Sequence, residues 1–384
     1  MSIRVLHVAH GVEQEQLGAG RSVPRLCRAL AEQGIEVILA ALDLGGKMVE
    51  GVCETGNLEF QRFPYIGPRR IGYSPQLKSF VNSAVKKADI VQTHFLWAYP
   101  QALAARLALR NQKPLVKTIH GALFPEAMSK SKLAKFIWYQ FIDGPSLEEA
   151  QCLVATSESE AKCIEDRFQP KRLEIIPDAI ELPVLPGKAF AAKRAQEILG
   201  NPERKYVLYL GHLHPHKNLE RLIAAWSGVR KKWPEHVLMI VGPGPGRYVR
   251  YLQRFIERWG LAESAKLCGP IYEPDKWLIL DSAEAVVLPS RSENFGLVVA
   301  EALYCGTPVV AGRGTPWACL ETEGFGHWVN MEDDLLSDAI DDVLSWPAER
   351  RRETALKART YIQENFIWRK VTDQYIRLYR DLLQ

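Results

Sequence analysis

The chain predicts an α/β protein built as two doubly wound domains in tandem. Three observations carry that expectation. Short β-branched runs alternate with amphipathic stretches through most of the 384 residues, as they do where helices wrap a parallel sheet. The length fits two domains better than one. A proline-rich passage from Pro177 to Pro186-Gly187 interrupts the alternation, which then restarts.

The elements follow in order. A strand over 3–9 leads to a glycine-bearing loop and a helix over 22–33, with Ser22 and Pro24 as start signals and Gly34 as the stop. Strands over 36–41, 90–93 and 115–119 come next, with a helix over 100–110 between the last two. A strand over 152–155, a helix over 157–166 and a short strand over 173–176 complete the first half. In the second half, strands over 206–211, 237–241, 265–268 and 285–289 alternate with helices over 219–231, 248–259 and 274–282. A further helix runs up to the stop at Gly306 and precedes the β-branched Val309-Val310. The last stretch, 368–383, is an amphipathic helix with Val371, Tyr375, Leu378, Tyr379 and Leu382 on one side.

A hydrophobic content of 47% and a charged content of 24% are those of a soluble protein with well-filled cores. Seven cysteines without a C-x-x-C pair read as buried thiols in a reducing cytosol, and neither as a disulfide framework nor as metal ligands. The N-terminal stretch reads as a strand, not a signal peptide, and no apolar run nears the roughly 18 residues of a membrane span. The expected location is therefore cytoplasmic. The net charge is only +4, yet residues 61–140 hold thirteen lysines and arginines against Asp89 and Glu126 alone. Within it, Lys130 to Tyr139 mixes cations with aromatics. That stretch is either a solvated face or a patch that meets an anionic membrane surface or an acidic acceptor. Nucleic acid is not an expected partner.

The most informative segment is Ser290-Arg291-Ser292-Glu293-Asn294-Phe295-Gly296, continuing to Glu301. It reads as a polar loop opening a helix, so Glu293 lies at the positive helix end and Glu301 a little over two turns along. Two carboxylates beside free backbone N–H groups suit a ligand bearing hydroxyls and phosphates. Glutamates at that spacing are also common on exposed helices, so the strand before and the glycine stop after them give the segment its weight.

Three glycine loops follow strands. Gly18-Ala19-Gly20 precedes the first helix, but Pro24 or Leu26 stands where the third glycine of a dinucleotide fingerprint belongs, which argues against a nicotinamide enzyme. Gly211-His212-Leu213-His214-Pro215-His216-Lys217-Asn218 places Lys217 at a helix start capped by Asn218. Its three imidazoles do not have zinc-site spacing, and a lysine facing a diphosphate is the better reading. Gly242-Pro243-Gly244-Pro245-Gly246 is a stiff structural turn. In the first half, His120 ends a strand before Gly121, and His94 ends another.

Taken together, these residues resemble the family-4 retaining glycosyltransferases, across nearly the whole chain. Glu293 to Glu301 with Gly306-Thr307-Pro308 looks like the family's E-x7-E donor motif; Ile175-Ile176-Pro177-Asp178-Ala179-Ile180 and Gly211 to Asn218 are similar to two further family motifs. Gly314-Thr315-Pro316-Trp317 is typical of one polysaccharide-assembling branch, and Phe366-Ile367-Trp368 begins what resembles the family's final crossing helix.

The resemblance implies a GT-B fold of two Rossmann-like domains facing a central cleft. An acceptor domain would span 1–182, a donor domain 183–365, and a helix over 366–384 would cross back. It implies a UDP- or GDP-sugar donor, a glycan or lipid-linked acceptor, and no cofactor or metal. Glu293 would meet the transferred hexose, with the backbone of Asn294, Phe295, Gly296 and Leu297 offered to sugar and diphosphate. Glu301 would take the ribose hydroxyls, the backbone at Ile271 the base, and Lys217 the leaving diphosphate, with Gly18, Ala19 and Gly20 approaching it. His120 would touch the donor sugar or place the acceptor. His212 stands where the family has a diphosphate-binding arginine; His214, His216, Arg291 or Arg313 would then have to compensate. Two other readings stay open: a catalytically silent nucleotide-sugar-binding protein, and a sugar-nucleotide epimerase of the same shape.

Overall fold

The computed structural model describes residues 2–13, 19–46, 56–129, 132–200, 204–331 and 335–384. The chain divides into two compact units, Met1–Ala179 with Trp368–Gln384, and Ile180–Ile367. The sequence placed these junctions at 182–183 and 365–366. Where the chain enters and leaves the second unit, Ile180 donates its amide to Phe366 O at 2.9 Å and bridges Ile367.

The first unit holds seven parallel strands: β1 (Arg4–Val8), β2 (Glu36–Leu42), β3 (Leu58–Phe63), β4 (Ile90–His94), β5 (Leu115–Thr118), β6 (Cys152–Ala155) and β7 (Leu173–Ile175). Their order is β3-β2-β1-β4-β5-β6-β7. Side chains alternate between two cores, because successive strand residues face opposite ways. Val5, Val37, Leu39, Ile90 and Val116 pack against the helices Ala19–Glu32 and Trp368–Leu382. Leu6, Val8, Ile38, Val91 and Leu115 pack against Pro75–Lys87 and Tyr99–Arg110.

The second unit repeats the plan with β8 (Lys205–Leu210), β9 (His236–Val241), β10 (Ala265–Gly269), β11 (Ala285–Leu288), β12 (Val309–Gly312) and β13 (Gly326–Val329), in the order β10-β9-β8-β11-β12-β13. Both sheets are parallel throughout, and both have the strand order of the Rossmann fold. The winding reverses between β1 and β4 in one sheet and between β8 and β11 in the other, and such switch points open a crevice at the strands' carboxyl ends.

Several elements differ from the sequence reading. Strands β3 and β13, one edge of each sheet, went unread because neither is an apolar run. Leu58–Phe63 carries Glu59, Gln61 and Arg62, and charge on an edge discourages pairing with another chain while hiding the strand pattern. The first described helix is Ala19–Glu32, with Pro24 inside it and not at its start. Ala19 and Gly20 are therefore part of a helical turn and not of a free loop, while Gly18 lies outside the described residues. Asn218 precedes the helix Leu219–Lys232 as expected, but its side chain makes no capping bond. It occupies a left-handed conformation (φ 59°), which asparagine tolerates better than most residues.

Candidate active site

Within the second unit, the switch point brings two loops together. The loop after β8 ends in the short turn Pro215–Lys217, and the loop after β11 runs from Pro289 to Gly296. The backbone ties them: the Arg291 amide donates to His216 O at 3.1 Å. The Lys217 ammonium ion-pairs with Glu293 Oε1, and the Ser290 hydroxyl donates to the same oxygen at 2.6 Å. Only 16% of the Lys217 side chain and 12% of that of Glu293 are exposed, so the pair is poorly screened by water. Glu293 Oε2 has no hydrogen-bond partner among the described residues. An ammonium has three N–H donors, so Lys217 keeps capacity beyond Glu293.

After Glu293 the backbone opens. The Glu293 amide is taken by Gly314 O at 2.9 Å, but the amides of Asn294, Phe295 and Gly296 have no partner among the described residues. They precede the helix Leu297–Cys305, whose N-terminus adds partial positive charge. Gly296 enters that helix at φ 81°, a conformation that strains any side chain. The Phe295 ring is buried against Trp317 and Phe366, at centroid distances of 5.1 and 5.5 Å, so only its backbone is available to a ligand. Trp317 Nε1 donates to Phe295 O at 2.5 Å and holds the turn from behind. Gly314 is required at its place, because a Cβ there would lie 1.9 Å from Arg291 O.

Glu301 does not share the surroundings of Glu293. It sits on the buried face of Leu297–Cys305, and its Oε1 accepts from Lys276 Nζ at 2.7 Å. Lys276 also pairs with Glu273 at 2.6 Å and lies over the Trp277 ring. Glu301 Oε2 has no partner among the described residues. Sequence reasoning missed Lys276, Ser290 and Trp317. A lysine 25 residues before its carboxylate leaves no local signal, and Trp317 stands out in the sequence only through its family motif.

His212 is half-buried, and its carbonyl accepts from the Tyr209 hydroxyl at 3.0 Å. Burial, with Lys217 second, lowers its pKa from 6.5, so the imidazole is neutral at pH 7. Ile271 is half-buried in the loop after β10 and packs on the core. The proline–glycine turn is structural: a Cβ on Gly242 would lie 1.8 Å from Gly211 O, and Leu213 N donates to Pro243 O at 2.7 Å.

His120 belongs to the first unit, just past β5, with φ 52°. Its Nε2 meets His94 Nδ1 at 3.2 Å, and His94 Nε2 meets His7 Nδ1 at 3.0 Å, forming a chain of three imidazoles on one face of the sheet. Burial lowers all three pKa values, to about 3 for His7 and His120 and well below 6.5 for His94. His94 thus supports His120. The backbone beside it is anchored by Glu160, which accepts from the amides of Gly121 and Thr156.

Comparison with known proteins follows the division of the chain. Residues 17–183 match the family described as Glycosyltransferase Family 4, and residues 192–361 match Glycosyl transferases group 1. The GDP-mannose:cellobiosyl-diphosphopolyprenol alpha-mannosyltransferase of Xanthomonas oryzae is 25% identical over 99% of this chain and 97% of that protein. The D-inositol 3-phosphate glycosyltransferase of Paenarthrobacter aurescens is 27% identical over 97% of this chain and 96% of its own length. Among solved structures, Anabaena HepE in complex with UDP and glucose matches 99% of this chain and 100% of its own, with a TM-score of 0.78 at 17% identity. At that identity the likeness shows the fold alone, the two-sheet GT-B plan expected from the sequence. Its two halves each matched in turn, the chain belongs to the glycosyltransferases, as a member of family 4 that carries a group 1 transferase domain.

Proposed function

We propose that the protein moves a hexosyl group from a nucleoside diphosphate sugar, UDP- or GDP-linked, to a glycan or lipid-linked acceptor in the assembly of a polysaccharide or lipopolysaccharide-type product. The observation that carries this reading is the meeting of the Lys217–Glu293 pair with the unpartnered amides of Asn294, Phe295 and Gly296. Cation, oriented N–H groups and helix end converge where a diphosphate would need them. The two relatives, a GDP-mannose-dependent mannosyltransferase and a D-inositol 3-phosphate glycosyltransferase, support a sugar-transfer chemistry.

In this reading the donor sugar's hydroxyls bind Glu293 through Oε2, and Glu301 Oε2 accepts from the ribose. The backbone at Ile271 reads the base, and the first unit takes the acceptor, with His120 placing it. Transfer is retaining and needs no metal. The C1–O bond to the diphosphate breaks while the acceptor oxygen bonds C1 on the same face. The acceptor proton passes to the departing phosphate oxygen. Lys217 and the helix end stabilise the charge that develops there, as a divalent ion does in other enzymes.

The acceptor side is assigned to a membrane surface on the cytoplasmic face. No described helix is long and apolar enough to cross a membrane. The support comes from residues 132–143, where Leu133, Phe136, Ile137, Phe141 and Ile142 are exposed, Phe141 by 77%. The basic stretch is less uniform than its composition: Lys117 is fully buried beside Asp143, and Lys135 is buried as well. Lys130 lies outside the described residues. Apolar insertion is therefore assigned a larger share of membrane binding than charge.

A panel of UDP-, GDP- and ADP-sugars, with products followed by mass spectrometry, tests the function. Acceptor-dependent release of nucleoside diphosphate that is lost in Lys217→Ala and Glu293→Ala is the expected result; turnover untouched in both variants would refute it. The neutral His212 favours one second reading, a silent binding protein, which would bind a donor without turning it over.

A further inference from the structure

Charge balance at the donor site is incomplete. A leaving diphosphate carries more negative charge than Lys217 alone offsets, and the position where family resemblance expects arginine holds a neutral His212. Three other groups near the site are engaged elsewhere. The His214 and His216 rings pack on each other at 4.3 Å, tilted by 47°, and His214 Nδ1 accepts from the His216 amide at 3.4 Å. Arg313 is drawn away: its Nε donates to Trp328 O at 3.2 Å, its guanidinium lies 5.4 Å from the centre of the Trp328 ring, and Glu321 is 3.8 Å off.

Arg291 remains. Its backbone is fixed on both sides, by its amide on His216 O and by its carbonyl closely packed on Gly314. Its side chain is exposed, with no hydrogen bond or ion pair among the described residues. The guanidinium lies within electrostatic reach of the Tyr248 hydroxyl. That hydroxyl is held at 3.0 Å by both oxygens of Glu220, in the first turn of the helix that Lys217 precedes. Arg291 thus stands where the Lys217 loop and the Glu293 loop are tied, two positions before Glu293, with its five N–H donors uncommitted.

We propose that Arg291 is the second diphosphate cation of this enzyme, binding the distal phosphate from the β11 side in place of the residue that His212 replaces. The inference rests on the donor-site reading above. A planar guanidinium suits a bidentate grip on phosphate oxygens. It also accounts for a glycosyltransferase tolerating histidine at position 212: the charge has moved from one loop of the switch point to the other.

Calorimetry with UDP, GDP, UMP and GMP on wild type, Arg291→Ala, Lys217→Ala and the double variant Arg291→Ala with His212→Arg tests this, with thermal melts as the check on folding. Arg291→Ala is expected to lose about ten- to a hundred-fold in nucleoside diphosphate affinity, while monophosphate affinity stays within about twofold. Adding His212→Arg to that variant should restore most of the loss, which a merely structural role would not allow. Equal loss of diphosphate and monophosphate binding, or no loss at all beside a strong effect of Lys217→Ala, would overturn the assignment of Arg291 alone. A Lys217→Ala variant that binds both diphosphates like wild type would bring down the donor-site reading and this inference with it. Should Arg291→Ala melt early, Arg291→Gln keeps the polar bulk without the charge and is judged by the same ratio.

Discussion

The Lys217 ammonium and the Glu293 carboxylate form an ion pair although 76 residues separate them in the chain. Each arrives from a different strand of the β8–β11 switch point, so the pair exists only when the second sheet has formed with its strands in register. It links the fold directly to the chemistry proposed for the site.

Lys217→Ala should lower kcat by about 10²–10³-fold, the scale seen when one group stabilising transition-state charge is removed. Folding should suffer less, by about 1–2 kcal/mol, because Glu293 keeps its bond from Ser290 and has some access to water. Steady-state kinetics beside urea unfolding separate the two effects. A variant that lost stability and activity in equal proportion would point to a structural lysine.

Lys276→Met should behave in the opposite way. Lys276 is 4% exposed and lies between Glu273 and Glu301, so removing its charge leaves two carboxylates facing each other away from water. A stability loss of about 3–5 kcal/mol is expected. Donor KM should rise as Glu301 shifts, with kcat little changed. Unchanged urea midpoints would show that the ammonium is not what holds these acids together.

Acid stability should carry the mark of the three imidazoles. Folded, His7 and His120 titrate near 3 against 6.5 when unfolded, so below pH 6.5 the unfolded chain binds protons that the folded one refuses. Their contribution is complete above 6.5 and is lost as the pH falls towards 3. Glu160 and Asp178 act with the opposite sign, since burial raises them to about 7 and about 6, and their contribution fades as the pH rises through those values. Stability should therefore peak near pH 6.5. His7→Gln should flatten the acid limb between 6.5 and 4.5 by about 1.4 kcal/mol per pH unit. Chemical denaturation at stepped pH measures the slope; an unaltered limb would mean that His7 is already protonated in the fold.

Co-sedimentation with vesicles containing phosphatidylglycerol should fall by more than about tenfold in Phe136→Ser with Phe141→Ser, since each buried phenyl contributes about 1.5–3 kcal/mol. Binding of soluble nucleotide should not change. Full vesicle binding by the double variant would return these residues to ordinary exposed surface.

The sequence disclosed what is periodic or local. Buried central strands such as Val237–Val241 announce themselves, as does a glutamate placed between a strand end and a helix start. It concealed what depends on distant partners or lacks an apolar pattern. Strand β3 was hidden by its charges, the helix start at Ala19 by Pro24, and Lys276 by its separation from Glu301. The sequence offers Asn218 as a side-chain cap, whereas its backbone angle is what the turn requires. Phe295, picked out by its motif, contributes a ring to the core, leaving only its peptide to the site.

The return of residues 368–382 to the first unit bears on how the protein is made. On the ribosome, the whole of Ile180–Ile367 is translated before Trp368, Val371, Tyr375 and Tyr379 can cover the face of the earlier sheet. During that interval Gln92 waits for the Tyr379 hydroxyl, and the apolar surface beside it stays open to chaperones or to other nascent chains. The later-born unit can therefore finish folding first, and stalled or prematurely terminated translation products should be the most aggregation-prone species.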